Sequence, residues 1–184
     1  MHYKQEVFTH QYSIVDRFIY HLTYYRTLNE GYTKRRMRNE FWYMTIEAHL
    51  FTATMNWCMI FGSDGCNPTH WKQLSLNEQE RLAQSFREGL LQEIELDEKH
   101  WRRYWKSMIN FRNKFVAHRE LHFSDPVPNF DTALAVAYYY DRWVRKIISP
   151  YTLGEPSLER FAMSLKESAT PLVDTLLKTT EECI

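Results

Sequence analysis

Helix breakers are scarce in this chain. Five glycines and six prolines serve 184 residues, and the first proline is Pro68. Proline removes a backbone donor from a helix, and glycine costs roughly 1 kcal/mol there relative to alanine. Their scarcity disfavours a turn-rich β fold and favours long helices joined by a few loops. The length suits one domain, or one domain with an appendage. A chain of this size buries roughly 70% of its unfolded surface, enough to fold without a disulfide or a metal. Aromatic residues make up 16% of the chain. Each can bury about 150–250 Å², so aromatics carry much of the core or interface area.

Apolar residues recur at helical spacing from about Glu6 to Asn29, at Val7, Ile14, Phe18, Leu22 and Tyr25. The pattern predicts a first helix closed by Gly31. A second helix runs to about Phe61, preceded by Lys34, Arg35, Arg36 and Arg38. Basic residues at a helix start oppose its dipole. The cluster reads either as a solvated turn or as a site offset by a bound anion. The run from Gly62 to Pro68 is the clearest break in the chain. Ser75 and Glu78 match a capping box and open a third helix from Leu76 to about Leu91. Asp97 opens a fourth, reaching about His118. A loop with two prolines follows, then a fifth helix from Phe130 to Ile148. Pro150, Gly154 and Pro156 mark a boundary before two short amphipathic helices. The expected fold is all-α. Residues 1–149 form an antiparallel bundle of four to five long helices. Residues 150–184 form a C-terminal appendage of short helices, packed on the bundle or on a dimer partner.

Formal charge is zero at neutral pH, so no broad attraction to nucleic acid is built in, and RNA contact would need a local basic patch. Cys58, Cys66 and Cys183 are odd in number and lack framework spacing. They read as free thiols in a reducing compartment, and a cytoplasmic location is expected. No signal peptide is expected at the N-terminus. The stretch from Phe41 to Phe61 is the best membrane candidate, but it carries Glu47 and His49. An acid at mid-span costs at least about 2.5 kcal/mol, so a central helix buried on most sides by protein is expected instead, with no membrane contact. Cys58, Cys66 and His70 lack the usual zinc spacing. No phosphate-binding glycine loop, dinucleotide fingerprint or Ser/His/Asp pattern is present. No metal and no cofactor are therefore expected. Glu47 and His49 point about 160° apart on a regular helix, so they are not a ready acid/base pair.

The fourth helix carries the unusual residue. Trp101, Tyr104, Trp105, Met108, Phe111, Phe115 and Val116 fall on one side at 100° per residue. Arg102, Arg103, Lys106, Asn110 and Asn113 fall on the other. Arg112 breaks the apolar stripe between Met108 and Phe115. A guanidinium in a dry core costs several kcal/mol unless it is paired. Arg112 therefore pairs with a buried acid such as Glu47, snorkels to an edge, or faces a cleft or a partner subunit. His118 lies six residues on, about 120° away and about 9 Å along a regular helix. A histidine near a helix C-terminus is also common for dipole reasons alone.

The run Phe111, Arg112, Asn113, Lys114, Phe115, Val116, Ala117, His118, Arg119 resembles the signature of the HEPN superfamily. That signature is an Arg, a polar neighbour, a few spacers and a His near the end of a bundle helix. The run and the helical layout, with Trp71 in the loop after the second helix, are most similar to the abortive-infection branch. The resemblance is concentrated in residues 95–120, is softer over 39–94, and does not reach the C-terminal tail.

The resemblance implies a metal-independent endoribonuclease, acting as a homodimer with a composite active site, in the role of a toxin or phage-defence effector. RNA supplies its own nucleophile, the 2′-hydroxyl, and the product carries a 2′,3′-cyclic phosphate. His118 is implied as the acid or base, because imidazole as a side-chain type titrates near neutral pH. Arg112 is implied to hold the scissile phosphate and stabilise its transition state. Asn113 is implied to orient the phosphate or the His. Arg103, Lys114 and Arg119 are RNA-contact candidates, with Arg102 and Lys106 behind them; each also reads as ordinary solvated charge. One subgroup of the family carries a Tyr two residues after the His, which a partner modifies; here Glu120 stands there. That mode of neutralisation is not implied, and any antitoxin is unidentified. The alternative is a catalytically silent module that binds nucleotide or RNA, or only dimerises. Charge balance leans toward the alternative, and the intact Arg–polar–His pattern toward the enzyme.

Overall fold

The computed structural model describes residues 3–75, 78–148, 154 and 156–182. Leu76, Pro150 and Cys183, used above, lie outside the described residues. The fold is all-α, with α1 (Gln5–Lys34), α2 (Glu40–Phe61), α3 (Gln79–Glu93), α4 (Glu98–Phe111), α5 (Phe130–Ile147) and α6 (Leu158–Glu182). A 3-10 turn spans Trp71–Leu74, and a π-helical segment, Arg112–Ala117, continues α4. The described residues form no strand beyond an isolated bridge between Tyr3 and Ser75. No helix among them is long and apolar enough to cross a membrane.

Local chemistry sets the helix starts. Asn39, Asp97 and Asn129 cap α2, α4 and α5 by accepting from the backbone N–H groups of Trp42, His100 and Asp131. Each such cap is worth about 1 kcal/mol. The Ser75 hydroxyl accepts from the Glu78 N–H at 3.0 Å, which is one half of the expected capping box.

Two elements differ from expectation. Gly31 does not close α1, which runs on to Lys34. A Cβ at Gly31 would sit 2.6 Å from Leu177 Cδ1. The glycine serves close packing of α6 on α1. The C-terminal appendage is not a pair of short helices but one helix of 25 residues that continues through Pro171. Its buried residues Ala169, Val173 and Leu177 lie on both sides of the proline. Arg35, from the basic cluster before α2, pairs with Asp174 and Glu181 of α6 at 3.2 and 3.7 Å.

The core is aromatic and tightly closed. Phe18, Trp57, Phe86, Phe111 and Tyr140 are fully buried. Among its polar groups, the Gln11 amide donates to the His70 carbonyl at 2.7 Å and accepts from the Tyr140 hydroxyl at 2.9 Å. Asp141, 2% exposed, accepts from Tyr12, Arg145 and the Leu158 N–H. That carboxylate ties α1, α5 and the start of α6 together.

Candidate functional site at the α4 π turn

α4 changes its winding at Arg112. From there to Ala117 the backbone follows i to i+5 bonding, and the His118 N–H reaches the Asn113 carbonyl at 3.1 Å. Single π turns inside α-helices are rare and recur at functional sites. His118 itself is extended, with φ −131° and ψ 122°, so the chain leaves the helix at the histidine. The regular-helix angle between Arg112 and His118 does not apply across this wider turn.

The turn rests on aromatic packing. Phe115 stacks on Phe111 at 5.2 Å, and Phe123 folds back onto both rings at 5.6 and 6.2 Å. Phe51 of α2 meets Phe115 edge-on at 5.6 Å. The side chains above this cluster take different paths. Arg112 is half-buried. Its Nε is buried without a hydrogen-bond partner, and it forms no ion pair among the described residues. Its charge is felt by the buried Cys58 thiol, which burial pushes up to about 12 against the opposing pull of Arg112.

Glu47 is not the partner of Arg112. Its carboxylate accepts from the Tyr43 hydroxyl at 3.1 Å and lies 3.9 Å from Arg119. Asn113 and His118 are exposed. Lys114 pairs with Glu120 at 3.3 Å. Arg103 and Lys106 are exposed on α4 and form no ion pair among the described residues, whereas Arg102 pairs with Glu98 at 2.7 Å.

The turn therefore gathers Arg112, Asn113, Lys114, His118 and Arg119 at the end of one helix, while Arg103 lies more than two turns back along α4. Phe51, Phe115 and Phe123, which hold the turn, were not singled out as site residues. Phe115 could have been found from its i, i+4 spacing to Phe111, but Phe51 is distant in sequence. A second grouping also depends on tertiary structure. His49 meets His21 of α1 with 3.0 Å between their Nδ1 atoms, and Tyr24 stacks on it at 5.4 Å. Burial lowers both imidazoles' affinity for a proton, with Arg17 adding to the effect at His21 and His21 adding to it at His49. Of the Cys58, Cys66 and His70 set, Cys58 is buried and Cys66 exposed. His70 is bound on both sides, to the Lys72 N–H and the Gly62 carbonyl.

No family model, curated protein or solved structure matches the chain.

Proposed function

We propose that the π turn is the active site of a HEPN-like endoribonuclease that cleaves RNA through attack by its own 2′-hydroxyl. The observation carrying this reading is Arg112. It is a half-buried cation with no acid partner among the described residues, one π-helical segment away from an exposed histidine. A phosphodiester supplies the missing anion and takes bidentate donors from a guanidinium. His118 would take the 2′-hydroxyl proton or deliver one to the 5′-oxygen leaving group. Arg112 would stabilise charge on the pentacoordinate transition state. Asn113, exposed beside Arg112, would orient the phosphate or the imidazole.

The homodimer in this reading draws on α2. Phe41, Met44, Ala48, Thr52, Met55 and Met59 fall within about 80° of arc on that helix. Phe41 is 68% exposed, Met44 55% and Met59 39%. An apolar stripe of this length marks a contact surface. A second copy is the occupant that fits. The stripe carries no charge, so no like charges meet across a two-fold axis. Its small residues, Ala48 and Thr52, lie centrally between larger ones, which suits antiparallel pairing of identical helices. Glu47 and Phe51, beside the stripe, touch Arg119 and Phe115, so such an axis would bring the two π turns toward each other. The toxin or defence role belongs to the same reading, as does an antitoxin partner.

The test is cleavage of a mixed RNA pool by purified protein in the presence of a chelator. The wild type is expected to cut, and His118→Ala and Arg112→Ala are expected to lose at least about a hundredfold in rate. An intact RNA pool with folded wild type would favour the silent module instead. Expression in a bacterial host gives a second readout, with growth slowed by the wild type and restored by His118→Ala.

A further inference from the structure

A cavity of about 640 Å³ opens between α3, residues 62–74 and the first turns of α4. None of Arg112, Asn113 or His118 lines it. One wall is made by Trp101 and Trp105, a helical turn apart and both half-buried. Trp105 is held in place by its indole N–H, which donates to the Phe61 carbonyl at 2.8 Å. Across from them α3 contributes Gln84, Arg87 and Glu88. The volume lies in the range of small-ligand sites.

The rim discriminates among ligands. Its three basic and three acidic side chains balance, and two pairs of them neutralise each other, Lys72 with Asp64 and Arg102 with Glu98. A balanced rim does not select a phosphate. Flat indole faces beside a mixed set of donors and acceptors suit a heteroaromatic ring with both kinds of group on its edge. Among the described residues Arg87 has no ion pair and can donate, and Glu88, which accepts from the Gln84 amide at 2.8 Å, can accept again. A nucleobase has that edge and that face, and aromatic side chains bind unpaired bases by stacking.

We infer that this cavity is a base-binding subsite for single-stranded RNA, upstream of the π turn on the same helix. The identity of the polymer rests on the nuclease reading above. Trp105 and Arg112 are seven residues apart, about 10 Å along the helix and about 20° apart in direction. Exposed Lys106 lies between them, about 100° round the helix from Trp105. A strand with one base in the cavity therefore reaches Arg112 within a few nucleotides.

The test is a fluorescence titration of the full chain, carrying His118→Ala to prevent cleavage, with a short single-stranded RNA and with an abasic strand of equal length. The RNA is expected to quench tryptophan emission and the abasic strand to bind without that quench. Trp101→Ala is expected to weaken RNA binding about tenfold, within the range seen for loss of one stacking contact, and Trp101→Phe to restore most of it. Arg87→Ala, an exposed change that leaves the fold intact, is expected to weaken it several-fold. Equal quenching by the abasic strand, or unchanged affinity in both Trp101→Ala and Arg87→Ala, overturns the subsite. Base-dependent quenching without cleavage by the wild type leaves the subsite standing and sinks the nuclease. Cleavage without base-dependent quenching does the reverse.

Discussion

The Arg119 guanidinium lies 4.2 Å from the centre of the Phe115 ring. The same side chain reaches Glu47 at 3.9 Å, so a residue that reads as an RNA contact also touches α2. It pins the π turn to α2. Arg119→Ala is expected to lower the unfolding free energy by about 0.5–1 kcal/mol, the worth of a cation–π contact at an exposed site. Arg119→Lys should recover only part of that, because the planar guanidinium is what stacks on the ring. Urea titration of the three proteins measures this. Equal stability in all of them would mean that the contact contributes nothing.

Asp141 makes a sharper prediction. It is 2% exposed and receives Arg145 at 2.8 Å, Tyr12 at 3.2 Å and the Leu158 N–H at 3.1 Å. Removing one partner of a buried ion pair leaves the other uncompensated, at a cost of about 3–5 kcal/mol. Asp141→Ala is expected to lose that much in denaturant unfolding and to make the start of α6 the first site of proteolysis. An unchanged proteolytic pattern would show that the contacts of α6 with α1 and α2 hold it without Asp141.

His70 ties stability to pH. Burial, with Lys72 adding to it, lowers its pKa to about 4. An unfolded histidine titrates near about 6.5. Between those values the unfolded chain takes up a proton that the folded chain refuses. The stability from neutral His70 is therefore complete above about pH 6.5 and is lost as pH falls toward 4. The loss is on the order of 3 kcal/mol, at about 1.4 kcal/mol per unit. His21 and His49, also held down by burial, act in the same direction. Unfolding free energies of the wild type and His70→Asn across this window should converge as pH falls. Parallel curves would exclude His70 as the source.

Much of the scaffold was legible because its signals are local. The fifth helix, expected from Phe130 to Ile148, ends one residue earlier at Ile147. Asp97 marks the start of α4. Arg112 stood out because it breaks a stripe, and it forms no ion pair among the described residues. What was not legible depends on distant residues or on a change of winding. Gly31 has two uses, ending a helix or admitting a neighbour, and only Leu177 decides between them. Glu47 was a reasonable partner for Arg112 by burial, yet the π turn carries Arg119 to it instead. A fixed 100° per residue cannot represent that turn. The tryptophans of the cavity read as core because they share a face with Met108, and only the placement of α3 leaves them half-open.

The apolar stripe on α2 gives a direct prediction of assembly. Light scattering is expected to report a dimer for the wild type and a monomer for Ala48→Glu, which would set two carboxylates against each other across the axis. If the proposed cleft is shared between two copies, RNA cleavage should fall with the dimer. A wild-type monomer, or a dimer indifferent to Ala48→Glu, would contradict pairing through this face.

In the proposed reaction Arg112 and His118 act together on a phosphodiester whose nucleophile is the neighbouring 2′-hydroxyl. The most direct measurement is the end chemistry of the products from an RNA of defined sequence, alongside the same strand with a single 2′-deoxy substitution at the cleaved position. The expected products carry 2′,3′-cyclic phosphate and 5′-hydroxyl ends, with no cutting at the deoxy site. Products with 5′-phosphate ends, or cleavage that survives the deoxy substitution, would contradict that reaction.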